Sequence, residues 1–326
     1  MKKSARRILI GSGLAAAGAG LAGTVHLAVT KYMVNVALDR QIPKHTGGAE
    51  KKLAGSEVDQ RFLHTLRQAG ETLRQQGGEI VQTASRDGTK LVGHWFGQEK
   101  PQRTIVAMHG WRSSWFSDFG MIADFWFQNG CNVLFAEQRG QGESGGEYMG
   151  FGLLERHDCV DWVRWANEHH GTLPVYLCGI SMGASTVLMA AGLELPENVR
   201  GIIADCGYTS PEAIWKHVAK DNLGLSYGTR SAAARDLCRK KIQVGIDDYS
   251  CVDAMQECEV PVLFIHGTDD RFVPIEMTYE NYKACTAPKR LLVVPGAGHG
   301  MSYYLDQSGY ENALRQFWKD FDTKNE

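Results

Sequence analysis

No Cys-x-x-Cys pair occurs among the eight cysteines, and none of them stands with a histidine at zinc-ligand spacing. The usual sequence patterns of a structural metal site are therefore missing. No block of like charges occurs either: 35 lysines and arginines face 37 aspartates and glutamates, for a net charge of −2. Nucleic-acid binding calls for a basic stripe, so a nucleic-acid partner is excluded. A strongly apolar run is also lacking; the one long uncharged stretch, Ile8–Thr30, is rich in Gly and Ala. What remains is ordinary globular material, with 43% hydrophobic and 22% charged residues over 326 positions. That suffices for one α/β domain with additions. Cys131, Cys178 and Cys206 flank or lie within predicted strands, where a free cysteine behaves as a small buried hydrophobe, and most of the eight read as free thiols.

Residues 1–30 form a separate segment. Lys2, Lys3, Arg6 and Arg7 precede the 23-residue run Ile8–Thr30, which is long enough to span a bilayer. The basic flank places the N-terminus in the cytoplasm and the bulk of the chain outside. The expectation is a single-pass cell-membrane anchor; secretion after signal cleavage is the alternative. Residues 31–78 would link anchor to domain. Lys31–Arg40 can continue the helix, and Pro43–Gly48 breaks it. From Glu50 to Gln76, Leu53, Val58, Phe62, Leu63, Leu66 and Leu73 recur at mostly helical spacing, predicting an amphipathic helix on the domain or on the membrane surface, ended by Gly77-Gly78. No candidate site residue precedes Glu50, so a chain beginning there is expected to keep full activity.

Residues 79–326 alternate strand and helix patterns. Strands are predicted at Glu79–Thr83, Lys90–Phe96, Thr104–His109, Asn132–Glu137, Val175–Ile180, Gly201–Asp205, Val260–His266 and Arg290–Val294. The central ones are short continuous apolar runs, as strands buried on both faces require. Helices are predicted at Phe116–Gln128, Leu153–His170, Met182–Leu193, Glu276–Ala284 and Ser302–Phe321. The fold class is therefore α/β, a mostly parallel eight-stranded sheet with helices on both faces, opened by an antiparallel hairpin at Asp87-Gly88. Residues 211–259 interrupt the alternation and read as a small helical lid over the strand ends.

Within this frame, Leu177-Cys178-Gly179-Ile180-Ser181-Met182-Gly183 reads as strand, sharp turn, helix. Gly-x-Ser-x-Gly in that setting is a nucleophile elbow, with the serine at a strained turn and glycines where strand and helix crowd together. Two loops beyond later strands supply its partners: Asp270 in His266-Gly267-Thr268-Asp269-Asp270, and His299 in Gly298-His299-Gly300. The order Ser181, Asp270, His299 is that of the hydrolase form of the serine triad. Asp269 is the adjacent competitor for the acid, and Asp205 a more distant one. His109-Gly110-Trp111 follows a strand, so the Trp111 amide and that of Met182 are the candidate oxyanion donors, with His109 holding the loop. Trp215, Leu223, Leu225 and Tyr227 in the lid, with Trp111, Trp115 and Phe116, are candidates for an apolar acyl pocket or for plain packing.

The stretches HGWRSS from His109, EQRGQGES from Glu137, GISMG from Gly179, ADCGYTSP from Ala204, VPVLFIHGTDDRFVP from Val260 and VPGAGHGMSY from Val294 resemble the α/β-hydrolase fold family. More narrowly, they resemble N-terminally anchored bacterial members related to acylaminoacyl-peptidases and dipeptidyl-peptidases, without the β-propeller of those enzymes. The resemblance implies that His-Gly-x-x-Asp-x-x-Val-Pro carries the acid, which selects Asp270. Glu137 stands where the family usually has aspartate, in a structural loop.

The expected function is a serine hydrolase acting through an acyl-enzyme on carboxylic esters of small or medium acyl chains, with no cofactor and no metal. Its partners would be a small-molecule ester or short peptide and, through the N-terminal segment, a membrane. A serine peptidase is the first alternative. The match of Gly140-Gln141-Gly142-Glu143-Ser144-Gly145 to a dinucleotide fingerprint raises an oxidoreductase, but no helix pattern follows these glycines to receive a pyrophosphate. A binding protein with a vestigial triad is the least favoured reading.

Overall fold

The computed structural model describes residues 24–41 and 57–322. The run Ile8–Gly23, the break at Pro43–Gly48 and Leu53 lie outside the described residues. Eight strands form one sheet: β1 Glu79–Ala84, β2 Lys90–Phe96, β3 Arg103–Met108, β4 Cys131–Glu137, β5 Val175–Ile180, β6 Val199–Asp205, β7 Val262–Gly267 and β8 Lys289–Val294. Their order is β1-β2-β4-β3-β5-β6-β7-β8. β1 and β2 pair antiparallel, as do β2 and β4, and every later pair is parallel.

Burial on both faces explains why the central strands read as unbroken apolar runs. In β3, Val106 and Met108 enter one core layer, while Ile105 and Ala107 enter the other. The first layer is covered by helices Glu155–His170 and Met182–Ala190, the second by Trp115–Phe119, Ala123–Gln128 and Gln307–Phe321. β7 begins at Val262 rather than Val260, because Pro261 has no N–H for the ladder and contributes only its carbonyl, to Ile202 N at 2.9 Å. The long helix predicted over Ser302–Phe321 divides at Asp306, whose carboxylate caps Gly309 N at 2.9 Å and starts the second helix.

The amphipathic helix spans Glu57–Gln76 and packs on the domain, with Leu73 and Phe62 buried. The insertion between β6 and β7 is helical, with Pro211–His217, a π turn at Val218–Asn222, Ser231–Ile242 and Cys251–Glu257. A further helix runs over 24–38 and ends on the domain, with Val34 and Leu38 fully buried. The segment Lys31–Arg40 is thus part of the packed domain, whereas its sequence reads as the start of a linker. Among the described residues, no helix is long and apolar enough to cross a membrane. All eight cysteines are free and buried.

Candidate active site

Ser181 sits between β5 and the helix Met182–Ala190 at φ 57 and ψ −117. A non-glycine residue takes that conformation only when its surroundings force it. Crowding supplies the force. A Cβ at Gly183 would lie 1.8 Å from Met108 O, and one at Gly179 would lie 2.2 Å from Gly183 C. Strand and helix can approach so closely only because both positions are glycine. The sequence pattern anticipates a serine open above the sheet edge; instead the residue is nearly closed over, at 8% exposure.

Two loops from distant strands complete a hydrogen-bonded chain. His299 Nε2 lies 2.9 Å from Ser181 Oγ, and His299 Nδ1 lies 2.7 Å from Asp270 Oδ2. An ionised carboxylate only accepts, so Nδ1 carries a proton and donates to Asp270; the neutral imidazole then accepts the serine hydroxyl at Nε2. Asp270 has four donors. Phe272 N and Val273 N each donate to Oδ1 at 2.9 Å, and His266 Nε2 stands 3.2 Å from Oδ2, beside the His299 bond. Burial opposes ionisation of this carboxyl, but the His299 charge and these donors outweigh it and hold its pKa well below the carboxylate range. Burial likewise works against the His299 imidazolium, yet its pKa is raised well above 6.5. Cys206 Sγ lies within 4.8 Å of the ring, but burial pushes its thiol up to about 11, so near neutrality it carries no charge. The anion that His299 then feels is Asp270.

The competing acids lie elsewhere. Asp269 is exposed and accepts from the Thr268 hydroxyl at 2.8 Å. Asp205 is buried behind the site, accepts from Ser302 Oγ at 3.1 Å, and is pushed up to about 6 by burial.

The loop after β3 presses on the serine: a Cβ at Gly110 would lie 3.4 Å from Ser181 Cβ. This brings the 110–111 backbone beside the first turn of the helix Met182–Ala190, whose leading N–H groups have no intrahelical acceptor. Asp118 holds the loop, accepting from Gly110 N at 2.6 Å and from the Ser113 hydroxyl. His109 is buried, its pKa lowered by burial, and it accepts from Gln138 N at 3.2 Å. Glu137 accepts from Glu143 N and faces His94 at 2.8 Å, so it organises the glycine loop. No helix opens at Gly140–Gly145, which removes the dinucleotide reading.

Of the candidate pocket residues, Trp115 and Phe116 go to the second core layer, where Trp115 packs on Phe135 at 5.5 Å. Leu223 is 55% exposed. Trp215 and Trp111 both pack on Phe151, at ring distances of 5.4 and 6.2 Å. Sequence reasoning missed His266, Asp118 and the proximity of Cys206. The repeat His-Gly-x-x-Asp held the one available signal for His266, since it places an imidazole four residues before the acid. Among the described residues, the ligand atoms of Cys206, Asp270 and His299 lie within 4.8 Å of one another, but the last two are already engaged with each other.

This sheet order, with a strained serine at the β5–helix turn and histidine and aspartate on the loops after β8 and β7, is that of the α/β-hydrolase fold. It is a hydrolase. Residues 99–225 match the family described as serine aminopeptidase, S33. Protein YqkD of Bacillus subtilis is 24% identical over 279 residues, covering 85% of this chain and 90% of that one. Among solved structures, the Pyrococcus furiosus esterase Pf2001 superposes with a TM-score of 0.62 at 20% identity, covering 76% of this chain and 92% of that one. An acylaminoacyl peptidase of Pyrococcus horikoshii gives 0.56 at 16% identity, covering 76% of this chain and 42% of that one.

Proposed function

We propose that the chain is a serine hydrolase that cleaves carboxylic esters of small or medium acyl chains through an acyl-enzyme. The observation that carries this reading is the unbroken chain from Ser181 Oγ through His299 to Asp270, at 2.9 and 2.7 Å. Ser181 Oγ attacks the ester carbonyl carbon as His299 Nε2 takes its proton. The N–H groups of Trp111 and Met182 hold the oxyanion, each donor contributing about 3–4 kcal/mol. The intermediate collapses, His299 returns the proton to the leaving alkoxide, and the alcohol departs. Water then attacks the Ser181 ester by the same steps, releasing the acid and the free serine. Asp270 fixes the imidazole tautomer and stabilises the imidazolium throughout.

The match to a family described as serine aminopeptidase favours one second reading, acyl transfer from an amide by the same residues. One experiment addresses both. Ester hydrolysis across p-nitrophenyl esters of rising chain length, run beside aminoacyl-nitroanilides, is expected to favour the esters. Ser181→Ala should abolish turnover and fluorophosphonate labelling while keeping the fold. Wild-type turnover in that variant would overturn the assignment, and faster nitroanilide cleavage would select the peptidase.

A further inference from the structure

We infer that residues 33–41 are a working part of the oxyanion loop, a strap that sets the position of the Trp111 amide. The inference rests on the serine-hydrolase reading above.

A helix leaves its last carbonyls without intrahelical partners, at the negative end of its dipole. In the helix over 24–38, Asn35 O is met by Asp39 N at 2.9 Å, and from there outward every partner comes from the catalytic domain. Arg112 Nη2 donates to Val36 O at 2.7 Å and to Asp39 O at 2.6 Å, and its Nη1 reaches Arg40 O at 3.3 Å. Trp111 Nε1 donates to Ala37 O at 2.9 Å. Met149 N donates to Leu38 O at 2.7 Å. Five consecutive carbonyls are thus satisfied by three residues, and two of those, Trp111 and Arg112, follow directly on Gly110.

The strap reciprocates. Arg40 donates to Ser144 O at 2.5 Å, to Gly146 O at 3.3 Å and to Gly142 O, so it closes the glycine loop whose sequence mimics a dinucleotide fingerprint. Asp39 accepts from Lys241 Nζ at 2.5 Å and bridges Tyr148, which ties in the insertion after β6.

Arg112 stands at φ 52, a left-handed conformation that a long side chain adopts only when held. Its guanidinium is held by the strap on one side while Asp118 holds Gly110 on the other. Trp111 lies between these two clamps. Its backbone amide is the proposed donor, and its indole is pinned to Ala37. An oxyanion donor is effective only when it is fixed before the charge forms, so freedom at this loop costs transition-state binding more than substrate binding. Arg112, Arg40 and the strap carbonyls are positioning groups, because none of them touches the reacting atoms.

The test uses the full chain. Arg112→Ala and Arg40→Ala should each lower kcat on a p-nitrophenyl ester by about tenfold or more while KM changes little, the signature of an interaction made only in the transition state. Affinity for a trifluoromethyl ketone, which forms a tetrahedral oxyanion on the serine, should fall in parallel with kcat/KM. Arg112→Lys restores the charge but not the fork, so its kcat should lie between those of the alanine variant and the wild type. Trp111→Phe removes the indole donor while keeping an aromatic ring in its place, and it covers the case in which the alanine variants unfold. Wild-type kcat in folded Arg112→Ala, Arg40→Ala and Trp111→Phe proteins would overturn the strap, as would a fall in Tm with unchanged ketone affinity. Those outcomes are distinct from failure of the hydrolase reading itself, which would show as turnover surviving in Ser181→Ala.

Discussion

Asp269 and Asp270 are adjacent and chemically identical, yet their surroundings differ completely. Asp269 faces solvent and bonds its neighbouring threonine, whereas Asp270 is buried under four donors. Asp270→Asn should therefore lower kcat by about 10³–10⁴, because an amide favours the wrong imidazole tautomer. Asp269→Asn should leave kcat near that of the wild type, and steady-state kinetics on one ester decides the order. A pH profile follows from the same pair. His299 must be neutral to accept the serine proton, and its pKa is raised above 6.5: burial opposes the imidazolium, but Cys206 and the Asp270 carboxylate beside it together outweigh burial. kcat/KM should thus climb as pH rises through that raised value and level off above it. In Asp270→Asn the carboxylate charge is gone, so the residual activity should inflect at lower pH. An inflection that stays in place would mean that Asp270 does not set the base.

Gly183 carries the elbow at the scale of elements. A side chain there would strike Met108 O at 1.8 Å, so Gly183→Ala must push the helix Met182–Ala190 away from β3. The expected outcome is a Tm lowered by several degrees, or insoluble protein, since overpacking typically costs about 1–3 kcal/mol. Thermal unfolding followed by circular dichroism checks it; a Tm equal to wild type would mean that the elbow has slack. The elements and the three residues of the Ser181–His299–Asp270 hydrogen-bonded chain were legible in the sequence because their signals are local. Strands buried on both faces show as continuous apolar runs, and Ser181, Asp270 and His299 each follow a strand within a short motif. The clamps on the oxyanion loop were not legible. Asp118 lies inside a helix with nothing to mark it, and the bond from Trp111 to Ala37 joins residues 74 positions apart. Pairing of that kind depends on where the fold returns the chain. For the same reason, the bonds that every carbonyl from Val36 to Arg40 makes to the domain lead us to propose, against the expectation from the sequence, that a chain beginning near Glu50 would lose activity.

For the whole molecule, the question is what precedes the strap. The uncharged run Ile8–Thr30 overlaps the helix over 24–38, whose early residues Val25 and Leu27 are 56% and 55% exposed while Thr30 is buried. Ile8–Gly23 alone is 16 residues, short of the roughly 20 that a spanning helix needs, so we propose that any bilayer segment shares its last turns with this docked helix. Full-length protein should then fractionate with membranes and resist carbonate extraction, and added protease should reach it in spheroplasts. Intact chain in the soluble cytoplasmic fraction would rule out the anchor, and a shortened chain in the medium would indicate signal cleavage. An enzyme anchored in this proposed way would have no leash. The helix over 24–38 rises about 22 Å, and its far end is fastened to the 110–112 loop, so under that proposal height above the membrane and heading would both be set. A flexible linker would let a catalytic domain sweep a hemisphere. The proposed arrangement would instead hold the domain fast, and residues inserted just before 24 should enlarge the volume it samples without altering its chemistry.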